Sequence, residues 1–499
     1  MNIIKSLYQS FKKAFIDNEN VQGLKKKYPY SFNFIKLRLD RTKFSGLPLT
    51  ILSAIFLYAL LLFFGSIGDY MFSDIITEAD VRVNTLLYAF RNAGAIKTFL
   101  WITLLGESPT IIVFALVTSA LLYLTHKKWQ VVTLWLTIIG SEGFTFMAKL
   151  IFQRPRPLNA VFLEDSNSFP SGHSTIAVAF YGFLAYLVFK KLKNKILRVL
   201  TVLITILIIL SIGFSRLYLG VHYVSDVWTG YLVGFLWLII GIGLTELKSS
   251  EQQNNSFVQN IATKHPKIII GGLVSLAIIF YISYGFTYHP KLILKSSATI
   301  EMTVEATNIF RDFNLPRYTE TLVGGKQEPI SLIITANDDT TVINNFKKAG
   351  WTLADKVNLN SILETIKYSI YNHQYDTAPM TPSFWNKQIH DLGFEKSTET
   401  KSVRQRHHAR FWKTNFKTVG GDNIYVGTAS LDVGIKWFIT HRINPDIDTE
   451  RDLLFNDLQK TGSVANFEKL KLVSPILGQN FIGDPFFTDG VAYFLNFSR

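Results

Sequence analysis

The sequence predicts a polytopic α-helical membrane protein with a mixed α/β globular domain at its C-terminal end. Long apolar stretches are concentrated before residue 288, whereas the remaining chain holds only apolar runs of strand length. Residues 1–288 contain 27 Lys and Arg against 14 Asp and Glu, and residues 289–499 contain 24 against 23. An excess of basic residues beside long apolar runs is typical of cytoplasmic loops in membrane proteins. We therefore expect no nucleic-acid partner, since such proteins concentrate their charge on a folded polar domain.

Seven apolar stretches approach or reach the roughly 20 residues that a transmembrane helix requires. They are residues 47–68, 100–125, 129–151, 172–189, 196–214, 222–245 and 268–286. The first six predict a helical membrane domain at residues 47–246. A polar linker and the seventh helix occupy residues 247–287, and the globular domain occupies residues 288–499.

Residues 1–46 predict a basic segment on the cytoplasmic surface of the membrane. They hold ten Lys and Arg, and their apolar side chains recur at helical spacing, which favours an interfacial helix. Those apolar positions are Ile4, Leu7, Tyr8, Phe11 and Phe15. No cleavage site follows a short apolar region, so the segment does not resemble a secretory signal.

The distribution of basic residues between the loops predicts the orientation. With the N-terminus in the cytoplasm, the inner segments hold 20 Lys and Arg and the outer segments hold 7. Because cytoplasmic loops are enriched in these residues, this orientation is favoured. Seven crossings then place residues 288–499 outside the cytoplasm.

The C-terminal domain shows short strands, turns and one amphipathic helix. Predicted strands are Ser331–Thr335, Tyr425–Gly427 and Ile435–Thr440, and turns are indicated at Gly324-Gly325 and Gly420-Gly421. A helix is expected to begin with Asp448 as its N-cap and to run through Lys460 before Gly462. Asp446, Asp448 and Glu450 are therefore interpreted as helix-capping charges rather than as a cation site. The chain contains no cysteine, which excludes disulfides and thiolate metal sites.

Ionisable residues cluster at the predicted outer ends of several helices. Such groups are costly at membrane depth, so their default interpretation is a functional site. They are Lys149, Arg154, Arg156, His173, Arg216, His222 and Asp226. We interpret Arg154 as a lipid-headgroup anchor. Glu107 and Glu142 are expected to be structural partners rather than catalysts.

The spacing of these residues suggests phosphoryl-transfer chemistry. His222 and Asp226 share one helix face, so the carboxylate can accept the Nδ1 proton and leave Nε2 as a nucleophile. His173 is then available as a general acid for the leaving oxygen.

The remaining groups can hold a phosphate. Lys149, Arg156 and Arg216 can surround the equatorial oxygens of a phosphoryl group in its transition state. Ser171 and Gly172 lie where a helix begins, so their free backbone N–H groups are expected to form an anion cradle.

Three motifs resemble those of the type 2 phosphatidic acid phosphatase superfamily, which shares its pocket with vanadium haloperoxidases. The motifs are Lys149-x6-Arg156-Pro157, Pro170-Ser171-Gly172-His173 and Ser215-Arg216-x5-His222-x3-Asp226. The match covers residues 50–245 and implies a metal-independent phosphatase without cofactors that works through a phosphohistidine.

The resemblance also implies a role for each motif residue. If the roles of the family's motif residues are transferred to this sequence, His222 is the nucleophile, Asp226 orients it and His173 is the general acid. The phosphate-holding residues are Lys149, Arg156, Ser171, Gly172 and Arg216. The resemblance further implies a multi-pass protein of the bacterial inner (cytoplasmic) membrane.

The second half contains a second set of recognisable segments: Trp385, Leu392-Gly393-Phe394, Arg404–Trp412 and His441–Asp452. With these segments it is similar to the LssY-type C-terminal domain, which has no established activity to transfer to this chain. Alternate residues from Arg404 to Trp412 share one face if the segment is a strand. A solvated basic face is the default interpretation, and a contact surface for an anionic lipid, a glycan or another cell-envelope partner is the alternative.

We therefore expect hydrolysis of a lipid phosphate monoester or diphosphate at the outer leaflet. Candidate substrates are undecaprenyl diphosphate, phosphatidic acid and phosphatidylglycerophosphate. A lipid phosphotransferase, which would pass the phosphoryl group to a lipid or glycan acceptor, is the alternative. The seven spans argue against a haloperoxidase, and the complete motif set argues against a scaffold without activity.

Overall fold

A computed structural model describes most of the chain. The described residues are 6, 10, 13, 14, 17–252, 266–291, 302–357, 359–371, 375–402, 405–436, 440–480 and 483–497. The apolar positions predicted for the N-terminal interfacial helix, from Ile4 to Phe15, lie outside these ranges. That prediction therefore stays open.

The described part of the N-terminal half consists of helices joined by loops, of which residues 153–171 form a long one. Its helices are α1 (Glu19–Lys27), α2 (Pro29–Arg38), α3 (Leu47–Phe72), α4 (Asp74–Ala89), α5 (Ala93–Thr103), α6 (Ser108–Leu124), α7 (Lys128–Phe152), α8 (Gly172–Ile176), α9 (Gly182–Lys191), α10 (Lys195–Tyr218), α11 (Val224–Gln252) and α12 (Pro266–Thr287). A π-helical turn at Ala177–Tyr181 joins α8 to α9 into one continuous helix.

The helices confirm the predicted membrane-spanning segments. Six helices of the described chain are long and apolar enough to cross a bilayer, and α5 with α6 adds a seventh span if the pair is counted as one. This pair, which corresponds to the predicted segment 100–125, bends by 47°. The bend falls at Glu107, two residues before Pro109 in the first turn of α6, where a proline is well tolerated.

Helix α4 was not predicted from hydropathy. It lies between two spans, and its four buried residues are all polar: Asp80, Arg82, Asn84 and Thr85. A helix that buries polar rather than apolar side chains gives no amphipathic signal, so the sequence pattern could not reveal it.

Helix α11 packs closely against the helix that begins at Gly172, and glycine makes this approach feasible. A Cβ atom on Gly230 would lie 2.6 Å from the carbonyl oxygen of Ser171, and one on Gly234 would lie 2.3 Å from that of Thr175. Because glycine lacks this atom, the two backbones can meet. The start of α11 is thereby held beside the start of α8.

The C-terminal half is a mixed α/β domain. Its strands are β1 (Met302–Thr303), β2 (Tyr318–Glu320), β3 (Lys326–Pro329), β4 (Leu332–Ala336), β5 (Thr352–Leu353), β6 (Phe384–Trp385), β7 (Gln388–Ile389), β8 (Leu392–Ser402), β9 (Gln405–Lys417), β10 (Asn423–Lys436), β11 (Thr440–Ile443), β12 (Val464–Lys471), β13 (Ile476–Gln479), β14 (Pro485–Thr488) and β15 (Val491–Phe497). Its helices are α13 (Ile309–Asp312), α14 (Asp339–Lys348), α15 (Leu359–Tyr371) and α16 (Ile447–Lys460).

A nine-stranded sheet forms the centre of this domain. Its main strand order is β12-β15-β4-β10-β9-β8-β5, with β1 paired to β9 and β11 paired to β10. The pairing is antiparallel except for the parallel contacts of β15 with β4 and of β1 with β9. Helices α14 and α16 contribute Phe346 and Leu454 to an apolar core on one face of the sheet. Trp385 and Trp412 belong to a second core on the other face.

The strand predictions were mostly right. Segment Ser331–Thr335 overlaps β4, and Tyr425–Gly427 lies inside β10. The predicted strand Ile435–Thr440 spans residues 437–439, which lie outside the described residues.

The predicted N-cap of the last helix was wrong by two residues. Helix α16 is capped by Asp446, whose Oδ1 accepts a hydrogen bond from the backbone N–H of Thr449 at 3.1 Å. Asp448 lies within the helix and pairs with Arg451 at 3.0 Å. Gly462 follows the helix with a φ of 71°, as its position after the last turn suggested.

The solvated basic face predicted for Arg404–Trp412 was also wrong for the residues that the structure describes. Arg406, His408 and Trp412 are buried, and Arg404 lies outside the described residues. The guanidinium of Arg406 is 2.6 Å from a carboxylate oxygen of Glu395, and His408 Nδ1 is 3.2 Å from Asp432. The prediction that alternate residues of β9 share one face was correct, but apolar cores cover both faces of the sheet.

The C-terminal domain docks on α4 of the membrane domain. Arg82 of α4 pairs with Glu320 of β2 at 2.9 Å, and Glu78 pairs with Lys387 at 3.3 Å. A further contact joins the backbone N–H of Leu163 to the carbonyl of Lys291 at 3.2 Å. The domain therefore lies at the same end of the helical bundle as residues 153–171.

Candidate active site

The predicted site residues come from separate helix ends that meet at one end of the bundle. Lys149 lies in the last turn of α7, and Arg216 lies in the last turn of α10. His173 follows the first residue of α8, and Asp226 lies in the first turn of α11. Gln153, with a φ of 45°, ends α7 and turns the chain into the loop that carries Arg156.

His222 and Asp226 are buried and adjacent, as their spacing predicted. The Nδ1 atom of His222 is 3.5 Å from Asp226 Oδ2 and 3.3 Å from the hydroxyl oxygen of Ser168. The Ser168 hydroxyl donates to the same carboxylate oxygen at 2.5 Å. The carboxylate therefore acts on the imidazole both directly and through Ser168, a residue that the sequence analysis missed.

The other ring nitrogen of His222 faces the cationic side of the site. Its Nε2 atom is 3.2 Å from Nη1 of Arg156. Since a guanidinium only donates hydrogen bonds, Nε2 carries the lone pair in this arrangement and Nδ1 carries the proton. Burial and the nearby Arg156 hold the pKa of His222 well below its usual range, so the imidazole is neutral.

Arg154 is not a headgroup anchor, which corrects the expectation from sequence. It is buried and donates to Asp226 Oδ1 at 2.7 Å and to Asp80 Oδ2 at 2.8 Å. Its guanidinium also lies over the ring of Tyr223, 4.2 Å from the centroid. Although burial disfavours the charge, the two carboxylates raise the pKa of Arg154. Arg154 thus fixes the carboxylate oxygen of Asp226 that does not face His222.

The three predicted phosphate-binding cations converge, and they share partners in the loop before α8. Lys149 Nζ and Arg156 Nη2 both donate to the hydroxyl of Ser166, each at 3.0 Å. Glu164 pairs with Arg156 at 2.6 Å and also with Arg216. A carboxylate therefore bridges two of the cations expected to hold a phosphate.

His173, the predicted general acid, lies beside one acidic and one basic group. Its Nε2 atom is 3.3 Å from Glu107 Oε1 and 3.4 Å from Arg216 Nη1. A Cβ atom on Gly106 would lie 3.0 Å from the His173 ring, so glycine is needed for this packing. Glu107, at the bend between α5 and α6, is thus a partner of the imidazole, as expected.

The predicted backbone cradle at Ser171 and Gly172 is only partly available. The N–H of Ser171 donates to the carbonyl oxygen of Asp226 at 3.0 Å, and its hydroxyl accepts from Ser174 at 3.1 Å. Ser171 therefore ties α8 to the first turn of α11, and its N–H is not free as expected. Gly172 is the first residue of α8.

A cavity of about 260 Å³ is lined by residues of the loop between α7 and α8, from Arg154 to Asn167. Arg154, Arg156, Glu164 and Asn167 contribute polar groups to its wall, and Phe162 contributes an apolar one. Within the described ranges, no group of three or more His, Asp or Glu side chains could hold a metal ion.

Taken together, the helical bundle and its cluster of His, Arg, Lys and Asp define a multi-pass membrane protein with a group of ionisable residues at one end of the bundle. The family model of the PAP2 superfamily matches residues 130–248, and that of the LssY C-terminus matches residues 313–491. The chain therefore contains a PAP2 superfamily domain followed by an LssY C-terminal domain. Both resemblances stated from the sequence are confirmed.

Individual relatives come from bacteria. Phosphatidylglycerophosphatase B of Bacillus subtilis (strain 168) is 28% identical over 194 residues, which cover 38% of this chain and 94% of that protein. A transmembrane PAP2 type phosphatidylglycerolphosphate phosphatase from Bacillus subtilis has a solved structure with 24% identity and a TM-score of 0.36. The match covers 41% of this chain and 98% of the chain in that structure. The structure of Aquifex aeolicus LpxE shows 28% identity and a TM-score of 0.25, covering 32% of this chain and 92% of its own.

Proposed function

We propose that this protein hydrolyses a phosphate ester or diphosphate of a membrane lipid through a phosphohistidine on His222. The observation that carries this proposal is the position of a neutral imidazole between an orienting carboxylate and a cluster of cations. Nδ1 faces Asp226 and Ser168, whereas Nε2 faces Arg156. This is the arrangement that a nucleophilic histidine needs.

In the first step, Nε2 of His222 attacks phosphorus and the bond from phosphorus to the lipid oxygen breaks. His173 donates a proton to that oxygen, so the lipid leaves as an alcohol or, from a diphosphate, as a monophosphate. Lys149, Arg156 and Arg216 surround the phosphoryl oxygens, and Gly172 offers backbone N–H to the same anion. These cations can neutralise the transition-state charge without a divalent metal.

In the second step, a water molecule attacks the phosphohistidine while His173 takes its proton. The bond from phosphorus to Nε2 breaks, inorganic phosphate leaves, and both histidines return to their starting states. Asp226 stabilises the positive charge that His222 carries in the intermediate. A lipid or glycan hydroxyl in place of water would give the phosphotransferase alternative.

The substrate class follows from the site and the membrane domain together. A pocket at the end of a transmembrane bundle is reached by a headgroup whose tail stays in the bilayer. Phosphatidylglycerophosphate is our first candidate, because a relative is named as a phosphatase of this lipid. Phosphatidic acid and undecaprenyl diphosphate are the others, and the reaction would occur at the outer leaflet of the cytoplasmic membrane.

The test is phosphate release by the purified full chain in detergent micelles, with each candidate lipid phosphate as substrate. We expect inorganic phosphate from at least one of them and none from His222→Ala. His126→Asn is the matched control, because His126 is exposed at the opposite end of α7 from Lys149. Radioactive phosphorus that appears on a second lipid instead of in inorganic phosphate would establish the transferase. Full activity of His222→Ala would contradict the mechanism.

A further inference from the structure

Helix α4 contacts the catalytic network on one side and the C-terminal domain on the other. Asp80 and Arg82 are two residues apart, so their side chains leave the helix roughly 200° apart. Glu78 and Arg82, four residues apart, share a face and are joined by an ion pair at 2.8 Å. Both faces are engaged, which makes α4 a bridge between the two domains.

On the catalytic side, Asp80 binds Arg154, which in turn binds Asp226, and it also binds the first turn of α11. Its carboxylate accepts from Arg154 at 2.8 Å and from the backbone N–H of Ser225 at 3.1 Å. The Ser225 hydroxyl donates to it as well. Asp80 thus satisfies one of the N–H groups that an α-helix leaves free in its first turn, one residue before Asp226.

Asp80, Arg154 and Asp226 form a buried network, so a change in the charge of one member affects the positions of the others. Only 3% of Asp80 and 5% of Arg154 is exposed to solvent, and Asp226 is fully buried. With two carboxylates on one guanidinium, removal of either leaves a buried charge without its full compensation. Arg154 would then turn toward the remaining carboxylate and move the Asp226 side chain relative to His222.

On the opposite side, the C-terminal domain holds α4 through Arg82. The guanidinium of Arg82 is buried and pairs with Glu320 at 2.9 Å. Gly324 lies four residues after Glu320, between β2 and β3. A Cβ atom on it would lie 2.9 Å from the Arg82 guanidinium. Lys387 adds a second ion pair, to Glu78 at 3.3 Å. These two ion pairs therefore attach the C-terminal domain to the turn of α4 that contains Asp80.

We propose that Asp80 is a positioning residue for Asp226 and His222, and that docking of the C-terminal domain through Glu320 keeps α4 in the register that this requires. The inference rests on the proposed phosphohistidine function and assigns a role to the C-terminal domain within it. Asp80 lies before residues 130–248, which the PAP2 family model matches, and it belongs to none of the three sequence motifs.

The first test compares Asp80→Asn with the wild-type full chain on dioctanoyl phosphatidic acid in micelles. We expect kcat to fall about 10- to 100-fold, the effect of a misplacement of about 1 Å, with KM little changed because the phosphate-binding cations are untouched. Asp74→Asn, an exposed carboxylate in the first turn of the same helix, is the matched control and keeps full activity.

The pH profile separates positioning from a merely structural role. Without Asp80, Arg154 draws on Asp226 alone, so less negative charge supports protonation of His222. The acid limb of the kcat/KM profile then moves to lower pH in Asp80→Asn. A lower rate with an unmoved acid limb would mean only fewer active molecules and would overturn the positioning role.

The second test concerns the coupling between the domains. Glu320→Gln weakens the contact with Arg82, and we expect kcat to fall about fivefold to tenfold, the lower end of the coupling found between allosterically linked sites. The double variant Asp80→Asn, Glu320→Gln should be no slower than Asp80→Asn, since both act through the same helix. Additive losses would overturn the coupling.

A third measurement does not depend on turnover. Hydrogen exchange at the backbone N–H groups of Tyr223 and Ser225, which donate to Asp226 and Asp80, reports the geometry directly. Both variants should accelerate exchange there, whereas Asp74→Asn should not. Faster exchange in a protein that cleaves none of the tested lipids would refute the proposed function and leave the positioning role supported. Unchanged exchange would refute the positioning role.

Discussion

The carboxylate of Glu164 lies 2.6 Å from the guanidinium of Arg156. It also pairs with Arg216, so it occupies the place between two cations where the proposed mechanism requires a phosphate. Burial alone would raise the pKa of Glu164, but Arg216, His173 and Arg156 together hold it well below its usual range. An ionised carboxylate at this position competes with an anionic ligand for the same donors.

The first prediction follows from this competition. Glu164→Gln should bind orthovanadate more tightly than the wild type, by about tenfold, because one buried negative charge no longer opposes the anion. Inhibition of phosphate release by increasing orthovanadate measures the affinity. Asp165→Asn, the exposed neighbour on the same cavity wall, is the control and should bind as the wild type does. Weaker binding by Glu164→Gln would show that the carboxylate organises the arginines instead.

The second prediction concerns the two partners of His222. Asp226→Asn should lower kcat by about 10⁴-fold, as in catalytic triads that lose their orienting carboxylate. Ser168→Ala should lower it less, about tenfold, because the direct approach of Asp226 at 3.5 Å remains and only the two hydrogen bonds of the Ser168 hydroxyl are lost. Single-turnover kinetics on a lipid phosphate give both values. Equal losses in the two variants would indicate that the carboxylate acts only through Ser168.

The third prediction concerns inhibition and metals. Orthovanadate, which adopts the trigonal-bipyramidal geometry of the phosphoryl transition state, should inhibit, and EDTA should not. Lys149, Arg156 and Arg216 can supply the positive charge that a divalent ion supplies in other phosphatases. Phosphate release before and after dialysis against EDTA tests this. Loss of activity that Mg²⁺ restores would refute the metal-independent mechanism.

The fourth prediction concerns the stability of the C-terminal domain in acid. Burial and Arg410 lower the pKa of His408 to about 4 despite the neighbouring Asp432, whereas the unfolded chain has the ordinary value of 6.5. Below pH 6.5 the unfolded state therefore binds a proton that the folded state excludes. The contribution is fully present above pH 6.5, and about 1.4 kcal/mol is lost per pH unit as the pH falls toward 4.

This effect is measured by heating the full chain in detergent and detecting unfolding of the C-terminal domain as proteolytic cleavage within residues 405–436. His408→Asn, which cannot titrate, should reduce the difference in unfolding temperature between pH 7.5 and pH 5. His289→Asn is the control, because His289 is exposed. An acid sensitivity that His408→Asn leaves unchanged would assign it to other groups, of which His390, with its pKa lowered to about 3 by burial, is the next to test.

The sequence predicted the membrane bundle and the contact between His222 and Asp226 because both depend on local patterns. Long apolar runs mark the spans, and His222 and Asp226 carry their relationship in a four-residue spacing. Asp80, Ser168 and Glu164 could not be found in this way. Their roles arise from contacts across long separations in the chain, such as that of Asp80 with Arg154, and no spacing records them.

The errors at Arg154 and Arg406 have a common physical cause, which is that charge alone does not reveal burial. Arg154 and Arg406 were expected to face a headgroup layer or solvent, because an isolated arginine usually does. Each is instead buried with acidic partners: Asp80 and Asp226 for Arg154, and Glu395 for Arg406. The buried basic strand also removes the surface proposed for a cell-envelope partner, so such a partner remains a prediction without an assigned contact face.

The last prediction concerns the orientation in the membrane. The 20-to-7 asymmetry of Lys and Arg, together with seven crossings, predicts that residues 288–499 lie outside the cytoplasm. The docking of Glu320 on Arg82 requires the loops near the catalytic cluster to share that side. A reporter enzyme that is active only outside the cytoplasm should therefore score positive when fused after Arg499 and negative when fused after Ser250. A cytoplasmic signal at Arg499 would mean that one crossing has been miscounted, with α12 the first to re-examine. A cytoplasmic signal at Arg499 together with a positive score after Ser250 would instead mean that the whole orientation is reversed, which would place the active site in the cytoplasm and exclude hydrolysis at the outer leaflet.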